Sequence, residues 1–169
     1  MGGRIALAAA VLLGDRSLSL TLESGSPGLA TPEERAARVK SDEALADKIK
    51  ADGLESFINY WEALPMWASQ SRLPRTVREK MRRQRLSNNP VGLANSLRGT
   101  GTGAQPSFHK RLAELRIPTL FIAGEEDEKF VNTAQEMHRT VKNSQLRIVK
   151  ESGHTVHLEQ PDQFNRIVV

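Results

Sequence analysis

"MGGRIALAAAVLLGDRSLSLTLESGSPGL" occupies residues 1–29, and the order of its parts decides the fold. Gly2 and Gly3 stand directly before Arg4 to Leu13, a run rich in the strong helix formers alanine and leucine. Gly14 and Asp15 close that run, as a C-terminal glycine commonly does. Ser17 to Leu22 alternates polar and apolar residues, with Leu18, Leu20 and Leu22 on one side, and reads as a strand. "SGSPGL" (24–29) is a loop. The paired glycines look placed for a tight turn, with nothing before them to turn from.

Beyond the loop the pattern turns helical. Thr31 precedes Pro32, with Glu33 and Glu34 in the first turn: a cap, a proline at the first helical position, and acids at the positive end of the dipole. The spacing predicts helices over 32–50, broken at Gly53, over 54–64, over the basic stretch "PRTVREKMRRQRL" (74–86) and over 91–97. "GTGTGAQPS" (99–107) reads as a flexible segment and lacks the lysine and spacing of a phosphate-binding loop. "PTLFIA" (118–123) and "QLRIVK" (145–150) read as strands around a helix at 132–141, and a last helix starts near Pro161. Strands separated by helices predict an α/β fold with parallel strands flanked by helices. The division expected is a core of residues 1–29 and 99–169, with residues 30–98 inserted as a helical lid. Three strands make a small sheet for this class, so the chain reads as the C-terminal part of a larger fold.

Composition narrows the partners. The 169 residues are 38% hydrophobic and 26% charged, with a formal net charge of +4, which fits an ordinary soluble surface and is also open to an anionic substrate, nucleic acid or a lipid surface. No basic patch is interleaved with aromatics, which argues against nucleic acid. There is no cysteine, which excludes disulfides, thiol catalysis and iron–sulfur clusters. No stretch approaches the ~20 apolar residues of a membrane span. "IALAAAVLLG" has the length of a signal core but only Arg4 before it and no clear cleavage site. A cytoplasmic protein without membrane or metal is expected.

Four short stretches then carry a resemblance. "MGGR" (1–4) resembles the end of the G-x-S-x-G nucleophile elbow of α/β-hydrolases. "LESGSPGL" with "EERAAR", the helix around Trp61, and "QRLSNNPVGLANSLRGTGTGAQPS" are similar to the MenH family, the 2-succinyl-6-hydroxy-2,4-cyclohexadiene-1-carboxylate synthases. The resemblance runs over essentially the whole chain. It implies an α/β-hydrolase fold and a lyase of menaquinone biosynthesis, which eliminates pyruvate from 2-succinyl-5-enolpyruvyl-6-hydroxy-3-cyclohexene-1-carboxylate without a cofactor. It also implies a serine immediately before Met1. The chain is therefore expected to be inactive alone, with a complementing N-terminal segment as a partner.

The resemblance assigns roles residue by residue. Asp127 in "GEED" and His154 in "SGHTVHLEQP" are the acid and base of the relay. His157 is the rival histidine and reads as structural, and His109 and His138 read as surface residues. Met1 lends its backbone to the oxyanion hole. Arg4, Arg38, Trp61 and Arg85 are the implied contacts to a polycarboxylate substrate, since a guanidinium fork receives a carboxylate bidentately. The other cations of the basic helix read as a solvated face. Two alternatives stay open: hydrolysis of an ester or carbon–carbon bond, and a non-functional fragment or one half of a split enzyme.

Overall fold

The computed structural model describes residues 1–169, the side chain of Asp15 apart. The chain forms two compact units, residues 1–27 with 108–169, and residues 28–107.

The first unit is built on a three-stranded parallel sheet in the order β1 (Leu20–Glu23), β2 (Thr119–Gly124), β3 (Ser144–Val149). Leu20 pairs with Thr119, and Thr119 with Ser144. β2 is the central strand, and both of its faces are covered, which explains its unbroken apolar run. Phe121 and Ala123 face one way, into a core with Leu7, Ala10 and Val11 of α1 (Gly2–Leu13) and Ala134 and Met137 of α5 (Glu128–Thr140). Ile122 faces the other way, with Val149, Val156 and partly buried Phe164 and Ile167. The last three come from α6 (Val156–Glu159) and α7 (Pro161–Val168). Phe121 and Ile122 are fully buried, each worth about 1.5–3 kcal/mol over an exposed position.

The second unit is helical: α2 (Pro32–Glu62), a 3₁₀ stretch over Pro65–Arg72, α3 (Arg75–Leu86) and α4 (Pro90–Thr100). Thr31 and Glu34 close a full capping box at the start of α2. Gly53, at φ 85°, interrupts α2 where a break is expected. Ile49, Phe57 and Ile58 form its small core.

Three expectations need correction. The strand expected at 17–22 is Leu20–Glu23, and Leu18 is 91% exposed, because the ladder to β2 begins only at Leu20. The helix expected at 132–141 begins at Glu128, because Asp127 caps it by accepting from the Phe130 N–H. The glycine-rich 99–107 stretch is close-packed and not a loose loop. A Cβ on Gly101 would fall 2.3 Å from the Leu97 carbonyl, and one on Gly103 would fall 2.7 Å from the Arg35 carbonyl. The glycines there serve close approach between backbone and helix.

Candidate active site

The ends of β2 and β3 build the site of the first unit. β2 finishes in Gly124, where a Cβ would lie 2.1 Å from the Gly153 carbonyl and 2.4 Å from that of Ser152. Only a hydrogen fits, so the loop after β3 lies directly on the loop after β2. Backbone bonds knit the two together: Glu125 N–H to the Val149 carbonyl at 2.9 Å and Glu126 N–H to that of Ser152 at 3.0 Å. β3 leaves its strand through Glu151 at φ 54°, a left-handed conformation uncommon outside glycine and Asn/Asp. Buried Ser152 then donates to the Val149 carbonyl.

This packing puts His154 Nδ1 2.6 Å from Asp127 Oδ2, across 27 residues of sequence. The Asp127 and His154 side chains are only 10% and 19% exposed. Ionised carboxylate oxygens can only accept, so Nδ1–H is the donor. Asp127 Oδ1 meanwhile accepts from the Phe130 N–H at 3.4 Å, which fixes the carboxylate from its own helix cap. The Phe130 ring meets the imidazole edge-on, centroids 4.6 Å apart. An imidazole whose Nδ1 proton is committed to a carboxylate has Nε2 as its basic nitrogen in the neutral form. That is the tautomer a general base requires, and the carboxylate stabilises the imidazolium after proton uptake.

Glu159 went unnoticed in the sequence. Its carboxylate accepts from Gly153 N–H at 2.8 Å, Thr155 N–H at 3.1 Å and the Thr155 hydroxyl at 2.8 Å. The amides on either side of His154 are thus tied to one side chain at the end of α6. A loop histidine followed five residues later by an acid is the signal that could have found it. His157 binds elsewhere: its ring and amide both meet the Glu23 carboxylate, at 2.7 and 2.9 Å, and join α6 to the end of β1. His138 is half-buried and holds the Ser144 hydroxyl at 2.8 Å, so it is not the simple surface residue expected. Met1 precedes α1 as its N-cap residue, and Arg4 lies half-buried on the helix's first turn.

The other expected residues belong to the second unit. Arg85 is held on three sides: Nη1 donates to Glu62 at 2.8 Å, Nη2 to Gln70 at 3.2 Å, and its guanidinium lies 5.9 Å from the centre of the Trp67 ring. Trp61 packs against Trp67, centroids 5.6 Å apart. Arg38 is instead paired with Asp42. Arg82 is not simply solvated as expected, since it donates to the second Glu62 oxygen at 2.6 Å. Burial works to raise the Glu62 carboxyl, but the bonds and charges of Arg85 and Arg82 outweigh it and hold the group below its ordinary value. A cavity of about 490 Å³ is lined by Glu62, Trp67, Gln70, Arg75, Arg82 and Arg85, while Arg38 and Trp61 are not among its lining residues.

The alpha/beta hydrolase fold model matches residues 1–161. A Bacillus subtilis (strain 168) protein is 49% identical over 168 residues, 99% of this chain; its name, still provisional, is 2-succinyl-6-hydroxy-2,4-cyclohexadiene-1-carboxylate synthase. A Salmonella heidelberg protein with that name is 32% identical over 95% of the chain. A solved structure of MenH from S. aureus superposes with a TM-score of 0.96 and 40% identity, over 98% of this chain and 62% of that one. A thermophilic esterase from Thermogutta terrifontis superposes with a TM-score of 0.82 and 28% identity, over 99% of this chain and 60% of that one. The chain spans 61% of the length of the two curated relatives. No helix is long and apolar enough to cross a membrane among the described residues. A parallel sheet whose strand ends join an aspartate to a histidine, over a length matched almost throughout, places this chain in the alpha/beta hydrolase fold family.

Proposed function

We propose that Asp127 and His154 are the acid–base relay of a 2-succinyl-6-hydroxy-2,4-cyclohexadiene-1-carboxylate synthase. The observation that carries the proposal is the 2.6 Å bond between them in a loop cluster at the C-terminal ends of the strands. The 49% identity over nearly the whole chain to the Bacillus subtilis relative supports the substrate.

His154 Nε2 takes the proton of a serine hydroxyl, the nucleophile of the G-x-S-x-G elbow whose end "MGGR" (1–4) resembles. The serine oxygen removes the proton α to the succinyl carbonyl. The C–H electrons form a C2–C3 double bond, the existing C3–C4 double bond shifts to C4–C5, and the carbon–oxygen bond from C5 to the enolpyruvyl group breaks. Enolpyruvate leaves, takes a proton and becomes pyruvate. Asp127 stays ionised throughout and stabilises the imidazolium. The resemblance names Arg4, Arg38, Trp61 and Arg85 as substrate contacts, and the guanidinium forks of the arginines match the substrate's carboxylates. Met1 contributes its backbone beside the developing oxyanion.

The test is pyruvate release from 2-succinyl-5-enolpyruvyl-6-hydroxy-3-cyclohexene-1-carboxylate by the protein expressed from its whole reading frame. His154→Ala should lower kcat by about 10²- to 10⁴-fold, the usual worth of a general base. The esterase likeness favours one second reading, ester hydrolysis by the same pair. Rapid hydrolysis of p-nitrophenyl acetate without pyruvate release would select it.

A further inference from the structure

Asp42 is a charged residue at a position where the fold has no evident need of one. It lies on α2 and is 3% exposed. Its Oδ1 accepts from Arg38 Nε at 2.8 Å. Its Oδ2 is buried without any hydrogen-bond donor. Gly101 presses on that second oxygen, since a Cβ there would fall 2.4 Å away. A carboxylate has room for about four hydrogen bonds, and a buried one left half-satisfied is destabilising against an apolar side chain of the same size. Stability alone does not account for it.

Arg38 supplies the other half. Its side chain is 44% exposed. Among the described residues its two terminal amino groups have no hydrogen-bond partner, because the Asp42 contact engages Nε alone. Arginine–carboxylate pairs are frequently bidentate. Here the contact is single, on the inner edge of the guanidinium, and the outer edge keeps the two parallel donors that match a carboxylate.

We propose that Asp42 is a positioning residue, a buried carboxylate that anchors Arg38 by its Nε and holds the terminal fork ready for a ligand carboxylate. The proposal rests on the reading of Arg38 as a substrate contact. Anchoring removes part of the side-chain freedom that a free arginine would lose on binding. Gly101 sets the depth of the anchor by leaving space for Oδ2.

The test is calorimetric titration of the protein, Arg38→Ala and Asp42→Asn with 2-succinylbenzoate, a stable aromatic dicarboxylate analogue of the proposed product, alongside thermal melts. Asparagine keeps an oxygen for Nε but loses the charge, and charge-assisted bonds are about twice as strong as neutral ones. Arg38→Ala should weaken binding about tenfold or more and Asp42→Asn about fivefold, while the Asp42→Asn Tm stays level or rises because a buried charge is gone. Weakening by Arg38→Ala with none from Asp42→Asn would overturn the anchor and leave the substrate reading standing. No effect from Arg38→Ala, or no binding by the parent, would overturn the substrate reading and the anchor with it. If Asp42→Asn fails to fold, hydrogen exchange at Arg38 Nε–H in the parent decides: slow exchange supports the anchor, and exchange as fast as a free arginine refutes it.

Discussion

Gly124→Ala should damage both the fold and the relay. The new methyl would sit 2.1 Å from the Gly153 carbonyl and 2.4 Å from the Ser152 carbonyl. Both obstacles are backbone, so no side chain can swing away, and each lies about 1 Å or more inside ordinary contact distance. The loop after β3 must move outward by roughly that amount. His154 follows Gly153 directly, and its 2.6 Å bond to Asp127 has no slack to absorb such a shift. Overpacking of this kind costs about 1–3 kcal/mol. A displacement of about 1 Å in a catalytic group costs about 10²-fold in rate. Urea melts and pyruvate-release kinetics on the same preparations measure the two effects. Gly124→Ala with parental stability and parental kcat would refute the claim that this close approach seats the histidine.

Other substitutions separate support from chemistry. Glu159→Gln turns one acceptor toward Gly153 or Thr155 into a donor, so one amide loses its partner; stability should fall by about 1–2 kcal/mol, and the low-field NMR signal of His154 Nδ1–H should broaden. The Glu62 carboxyl is held below its unfolded value, so its stabilisation is complete above the unfolded pKa of about 4.3 and is shed as the pH falls through the lower folded value. Melts of the parent and Glu62→Gln should therefore differ at neutral pH and converge in acid below the ordinary carboxylate range; a constant gap would mean the charge is irrelevant. His157→Ala should spare kcat within about threefold and lower the melting temperature, since its ring holds Glu23.

Several parts of this arrangement were readable before any coordinates. Thr31-Pro32-Glu33-Glu34 announced the start of α2, and the short apolar run "PTLFIA" (118–123) announced a strand. Both are local patterns whose cause lies within a few residues. The Asp127–His154 pairing came from resemblance, because nothing near either residue encodes a contact 27 positions away. Gly124, the residue that permits that contact, stands in the sequence only as the first letter of "GEED"; its function depends on a backbone segment from the next strand. The 99–107 stretch misled for the same reason. Glycine signals freedom in sequence, whereas Gly101 and Gly103 are needed for tight packing against α2. Nothing in the sequence singles out Glu62 or Asp42, and only the fold shows the arginines they hold.

A double-mutant cycle on Asp127 and His154, read by pyruvate release from the protein's whole reading frame, tests the relay most directly. Residues that act as a unit are strongly non-additive. The account predicts that Asp127→Ala with His154→Ala loses no more kcat than His154→Ala alone, because a carboxylate without its imidazole has nothing to orient. A double variant whose loss equals the product of the two single losses would contradict it, and would make the 2.6 Å bond a structural contact only.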